Sequence, residues 1–174
     1  TTAAEITPGN VNRLVPVWTY RTGHMQAPED AFERSKFEVT PILVEDKLVL
    51  CTPFNVIIAL DPASGAELWR HDPKINMEQR PANGYACRGV AYWRDLQAPP
   101  DAKCAARILM GTNDGRVIAV DVKGGAPCAE FGVNGEIKID PQADLVWPGE
   151  FQITSPPAAA QGVVVVGSAI ADNV

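Results

Sequence analysis

Histidine is nearly missing from this chain: His24 and His71 are the only two in 174 residues. Neither stands near a partner that would make it a ligand or a base. The first sits in a polar loop and the second follows a strand, so both are read as ordinary. The four cysteines (Cys51, Cys87, Cys104, Cys128) lack the close paired spacing of a zinc site. No Cys-x-x-Cys-His run is present, which leaves this stretch without a c-type haem attachment. A surplus of basic residues is also lacking. Fifteen Lys and Arg against 21 Asp and Glu give a net charge of −6 and a pI near 4.9. With no positive stripe, nucleic acid is excluded as a partner. The longest aliphatic run, Val163 to Val166, is far short of the about 20 residues a membrane helix needs. No signal peptide opens the chain, and it starts on Thr1, which points to processing or trimming. Apolar residues make up 46%, so disorder is not expected.

What the chain does have is self-similarity. Ile57 to Gly65 (Ile-Ile-Ala-Leu-Asp-Pro-Ala-Ser-Gly) recurs as Val117 to Gly125 (Val-Ile-Ala-Val-Asp-Val-Lys-Gly-Gly). The same offset lays Val49 to Thr52 over Leu109 to Thr112. A third, partial copy follows at Val165 to Ser168, after Thr154-Ser-Pro-Pro157 has echoed Val39-Thr-Pro41. Each copy is an apolar run, a turn of Asp and Gly, and a resumed strand. Asp and Pro set such turns, and Gly accepts the positive φ they require. Short β-rich units repeated in this way mark a propeller or an array.

In chain order, Leu14 to Thr22 reads as the outer strand of a blade whose remainder lies elsewhere, and residues 24–37 read as a loop. The first full blade spans 38–69, with strands at 39–44, 48–52 and 56–60 and a last one ending in Trp69: a four-stranded antiparallel meander. A second blade spans 87–129, with strands at 87–93, 107–112 and 116–121. It carries an insertion at 94–106 and the hairpin turn Asn113-Asp-Gly115. Ala129 stands where Trp69 stands in the first copy, so the second is degenerate. One further strand is expected near 136–139. A partial blade, 153–174, ends before its third and fourth strands, so the sequence reads as a fragment. The fold class is therefore all-β, about three blades of a larger propeller. Trp18 and Trp69 are assigned to packing between blades.

In such a meander every first-strand start lies at the same end as every turn between the second and third strands. In a propeller the first strands line the central channel. Glu38, Arg88 and Thr154 open their first strands, and Asp172-Asn173 occupies the corresponding turn of the third blade. Topology gathers them around one channel mouth. Each has an ordinary alternative: Glu38 as a solvated strand-start charge, Arg88 as a surface ion-pair partner, Asp172-Asn173 as plain turn residues. The cysteines suit either buried thiols or an oxidising compartment. Cys104 ends the insertion and Cys128 follows a turn at the same blade end, so they are expected to pair. Cys51 and Cys87 fall inside strands and are expected to be thiols.

The span Ala59 to Trp69, with its Ala-x-Asp-x-x-x-Gly-x-x-x-Trp spacing, resembles the tryptophan-docking motif of eight-bladed quinoprotein dehydrogenases. Cys87-Arg-Gly-Val-Ala-Tyr92, and Thr154-Ser-Pro-Pro157 with Asp172-Asn173, are similar to the membrane-bound glucose, quinate/shikimate and polyol dehydrogenases that use pyrroloquinoline quinone (PQQ). The likeness runs from about Leu14 to Asn173. It implies the N-terminal part of an eight-bladed propeller in a periplasmic, membrane-anchored enzyme. Such an enzyme oxidises a sugar, polyol or cyclic hydroxy acid and passes electrons to ubiquinone. The resemblance further implies that Arg88 contacts PQQ, that Glu38 and Thr154 lie at the cofactor, and that Asp172 and Asn173 hold Ca²⁺ or Mg²⁺. The catalytic base is expected from a later blade, so this chain alone is expected to be inactive. Two departures stand out. Glucose-oxidising relatives tend to carry His four residues before the Arg, where this chain has Gly84. The membrane-spanning region and remaining blades are missing, so uncovered end blades are expected to self-associate. The competing readings are a non-catalytic propeller scaffold, which leaves Arg88 and Asp172-Asn173 without a task, and a soluble haem-containing alcohol dehydrogenase.

Overall fold

Asp61 shows why the repeat folds as it does. Its Oδ1 accepts from the backbone N–H of Ala63 and Ser64 and from the Ser64 hydroxyl, while the Gly65 N–H closes onto its carbonyl at 2.8 Å. Asp121 repeats the device, with the N–H of Lys123 on Oδ1 and that of Gly125 on its carbonyl, both at 2.8 Å. A carboxylate that ties its own turn this way makes Asp the natural residue there. The other end of each hairpin is closed by threonine: Thr52 and Thr112 each exchange bonds with the residue four further on.

The computed structural model describes residues 5–171. Two four-stranded antiparallel sheets form its body. The first holds β2 (Ile42–Val44), β3 (Lys47–Cys51), β4 (Ile57–Leu60) and β5 (Glu67–His71); just upstream, β1 is Ser35–Lys36. The second holds β7 (Ala91–Arg94), β8 (Ala106–Gly111), β9 (Arg116–Asp121) and β10 (Glu136–Lys138). Between them, β6 (Tyr85–Ala86) pairs in parallel with β1. The third unit has two pairs: β11 (Phe151–Gln152) with β14 (Ala169–Ile170), and β12 (Ala158–Ala160) with β13 (Val163–Val165). Among the described residues no helix is long and apolar enough to cross a membrane.

Both middle strands of each blade are buried almost end to end: Ile57, Ile58 and Ala59 are fully covered, as are Ile108, Met110 and Ala119. Sheets covered on both faces read as continuous apolar runs, which is how these strands stand out in sequence. The tryptophans dock as assigned. Trp69 lies over the Gly125 turn and its indole N–H donates to the Val122 carbonyl at 3.1 Å. Trp18 lies over the Gly65 turn and donates to the Pro62 carbonyl at 3.1 Å. A Cβ at Gly125 would stand 2.5 Å from the Trp69 ring, so only glycine admits the stack.

Several expectations need correction. Residues 14–22 form no strand, because no sheet is there for them to pair with among the described residues. The second sheet extends past 129: its outer strand is β10, reached through the wide turn 130–135, and it stands in for the missing Trp-ended strand. The segment 24–37 is not plain loop. It holds a 3₁₀ turn (His24–Gln26), α1 (Glu29–Glu33) and β1, all too short to show a period. Cys104 pairs with Cys128 as expected, with Cα atoms 5.7 Å apart, but Cys51 and Cys87 are not thiols. They form a second disulfide, with Cα atoms 6.1 Å apart. Within either blade each cysteine has no partner, but packing one blade on the next sets the end of β3 beside the residue after β6.

Candidate functional site

Three segments that lead into the first strands of their units meet, with Glu38, Arg88 and Thr154 lying just before β2, β7 and β12 respectively rather than on them. Arg88 donates from Nη1 to the Thr154 hydroxyl at 2.6 Å, and its Nε lies 3.3 Å from Glu38 Oε2. The backbone joins the same three segments: the Arg88 N–H donates to the Thr154 carbonyl at 2.9 Å, and the Thr40 N–H donates to the Arg88 carbonyl at 3.0 Å. Thr40 and Gly89 form a parallel bridge. The ion pair is only half sheltered, with 51% of the Arg88 side chain and 42% of Glu38 exposed, whereas Thr154 is buried. The site therefore has a wet, charged upper layer on a dry hydroxyl floor. Asp172 and Asn173 lie outside the described residues. The chain reaches them from Ala171, whose N–H donates to the Glu150 carbonyl at 3.2 Å, next to β11.

Beneath this layer runs a chain of buried amides that the sequence reading missed. Asn55 and Asn113 sit in the turns after β3 and β8, and Gln152 is in β11; none exceeds 2% exposure. Asn113 Nδ2 donates to Asn55 Oδ1 and to the Pro53 carbonyl, both at 2.7 Å. Asn55 Nδ2 donates to the Gly111 carbonyl at 3.3 Å. Gln152 Nε2 reaches Asn113 Oδ1 at 3.3 Å and the Gly84 carbonyl at 3.2 Å. Satisfied polar groups in a low-dielectric interior hold one arrangement firmly. A sequence signal existed: both asparagines closely follow a repeat threonine, Thr52 or Thr112.

Gly84 has a physical reason as well. Its φ is +75°, and a Cβ there would lie 2.2 Å from the Arg34 carbonyl oxygen, because β1 runs alongside β6. The backbone has closed the space a histidine would need.

Beside the turn after β8, Asp114 receives two bonds from the Arg116 guanidinium, at 3.0 and 2.8 Å, and Arg116 also reaches Glu136 at 2.6 Å. Burial pushes the Asp114 carboxyl up, but the Arg116 and Thr112 hydrogen bonds outweigh it and the net shift is downward. This cluster fastens the 72–76 linker and serves the fold. His24 stacks on Phe54 with centroids 5.1 Å apart, and burial lowers its pKa. The lowered pKa favours the uncharged ring, in line with its packing against Phe54. Among the described residues, no group of three or more His, Cys, Asp or Glu is placed to hold a metal ion.

PQQ is a planar o-quinone with three carboxylates. The donor set fits such a group: an exposed guanidinium fork braced by Glu38 on one side and by a buried hydroxyl on the other.

The chain is 38% identical over 170 residues to the glycerol dehydrogenase large subunit of Gluconobacter oxydans (strain 621H), a match covering 98% of this chain and 23% of that protein. It is 36% identical over 173 residues to the quinoprotein glucose dehydrogenase of Escherichia coli (strain K12), covering 97% and 22% respectively. It thus spans less than a quarter of the length of these relatives. A solved europium-containing methanol dehydrogenase superposes with a TM-score of 0.69 over 95% of this chain and 24% of its own, at 24% identity, which speaks to the fold. The family model described as "PQQ: Glucose/ethanol/alcohol dehydrogenase, beta-propeller domain" matches residues 1–174, and the chain belongs to that family.

Proposed function

We propose that this chain is the N-terminal part of the propeller of a PQQ-dependent dehydrogenase. The whole protein oxidises a sugar, polyol or cyclic hydroxy acid, works in the periplasm on a membrane-anchored chain, and delivers electrons to ubiquinone. The observation that carries this reading is the convergence of Glu38, Arg88 and Thr154 from three successive blades.

In this proposal Arg88 pairs with a cofactor carboxylate. Glu38 braces the guanidinium from one side, and Thr154 fixes its Nη1, so the fork is oriented before the ligand arrives; less ordering remains to be done on binding. Bound PQQ supplies a quinone carbonyl that accepts hydride from the alcohol carbon. Asp172 and Asn173 offer the hard oxygen ligands that suit Ca²⁺ or Mg²⁺. The proton of the substrate hydroxyl goes to a carboxylate base on another blade. The closed space at Gly84 argues for a substrate other than glucose. Produced alone, the chain exposes apolar residues at both ends, Val15 and Val17 at one and Val163 and Val165 at the other, and self-associates.

Titration of the full-length protein with PQQ at several metal concentrations tests the reading. Arg88→Ala weakens PQQ binding by roughly 1.5–3 kcal/mol at every metal concentration. Asp172→Ala is partly rescued by added Ca²⁺ or Mg²⁺. If both variants keep wild-type affinity and metal dependence, Arg88 and Asp172 are strand-start and turn residues and the assignment fails.

A further inference from the structure

Two disulfides of similar span are built into this chain, and they are placed differently. Cys104–Cys128 closes within the second blade, staples its insertion, and leaves the three-strand junction untouched. Cys51–Cys87 joins the end of β3 in the first blade to the residue directly before Arg88. Cys51 and Cys87 are 0% and 2% exposed and lie in the largest apolar cluster, among Val49, Ile57, Trp69, Ile108 and Met110. Arg88, one residue on, is half exposed. The chain thus passes from a covalently anchored, fully packed position to the guanidinium in a single step. On the far side stands Gly89, with no side chain to pack. Without the crosslink, the Arg88 backbone is held by one hydrogen bond to Thr154 and one from Thr40.

We infer that Cys51 and Cys87 are positioning residues for Arg88: their inter-blade disulfide holds the guanidinium where an anionic cofactor carboxylate meets it. The inference rests on the PQQ reading above and deepens it. A disulfide stabilises any fold by restricting the unfolded chain, and that effect alone does not reach the ligand. Positioning does, because a misplaced charge loses the directional, charge-assisted bonds that make such pairs strong.

The test uses the other disulfide as an internal control. PQQ affinity of the full-length apoprotein is measured by quenching of intrinsic fluorescence, at fixed divalent metal and well below the melting temperature of each variant. Cys51→Ala/Cys87→Ala weakens PQQ binding about tenfold or more, whereas Cys104→Ala/Cys128→Ala stays within about twofold of wild type. In an Arg88→Ala background, removing Cys51 and Cys87 adds less than about twofold, since contacting groups are not additive. Equal loss of affinity for both cysteine pairs, or an unchanged affinity for Cys51→Ala/Cys87→Ala, overturns the inference. Should that variant fail to fold, Cys51→Val/Cys87→Ala, which restores buried volume, is held to the same limits. Failure of both to fold assigns the pair to stability alone and also overturns it. If Arg88→Ala binds PQQ as wild type does, the functional reading itself falls. If Arg88→Ala weakens binding and the cysteine pair does not, this inference falls alone.

Discussion

Between the first and second blades the joint is made of repeat residues. Trp69 covers Gly125, Cys51 is bonded to Cys87, and Asn55 Oδ1 accepts two bonds from Asn113. Between the second and third units, among the described residues, neither the tryptophan nor the disulfide device recurs. Ile153 instead lies over Gly111, and Phe131 packs with Val164 beside a cavity of about 100 Å³ lined by Trp93, Arg107 and Leu109. The first joint is keyed by a tryptophan and a disulfide; the second sets apolar contacts beside the Gln152 and Thr154 hydrogen bonds. No single side chain therefore carries as much of the second joint as Trp69 does of the first.

Deleting the key is the harshest way to break this contrast. Trp69→Ala removes a buried ring and its hydrogen bond and costs about 3–5 kcal/mol. Phe131→Ala, at the second joint and partly exposed, costs less than half of that. Denaturant unfolding of the full-length protein compares them; equal losses would mean that the two joints are not different in kind.

A smaller effect sharpens it. Asn113 touches both joints, bonding Asn55 on one side and Gln152 on the other. Asn113→Ala strands buried partners at each and costs about 1–3 kcal/mol. Chemical denaturation showing no loss of midpoint would remove the amide chain from the account.

The mildest probe is pH. His71, on β5 at the first joint, has its pKa lowered, chiefly by burial, with Asp72 and Glu136 opposing and Arg116 adding. A histidine with a depressed folded pKa favours the native state when neutral. Its contribution is whole above the unfolded value of about 6.5 and is lost as pH falls below it toward the folded value. Melting temperatures taken from pH 7.5 down to 5 show a decline that His71→Gln reduces. An identical decline in the variant would exonerate His71.

The repeat units, the tryptophan docking and the Cys104–Cys128 pair were legible because each rests on neighbours in sequence or on a recurring spacing. Glu38, Arg88 and Thr154 were legible as a group because strand direction alone brings the segments leading into the first strands together. What stayed hidden depends on one blade packing against another. The Cys51–Cys87 bond joins residues of different repeats. Gln152 acquires its role only beside Asn113 and Gly84. The strand at Glu136–Lys138 shows in sequence but its place in the sheet does not, since its tie to β9 crosses a wide, non-repeating turn.

The buried amides have a geometric consequence. A propeller is a closed polygon, so a small error in the angle at each joint adds up around the ring and leaves the last seam open or overlapping. Apolar packing tolerates sliding, because methyl groups interdigitate almost as well a little way along. The Asn55–Asn113–Gln152 chain does not, since its bonds fail within a few tenths of an ångström. It acts as a protractor between the blades, setting the angle between successive sheets close to where Arg88 meets Thr154.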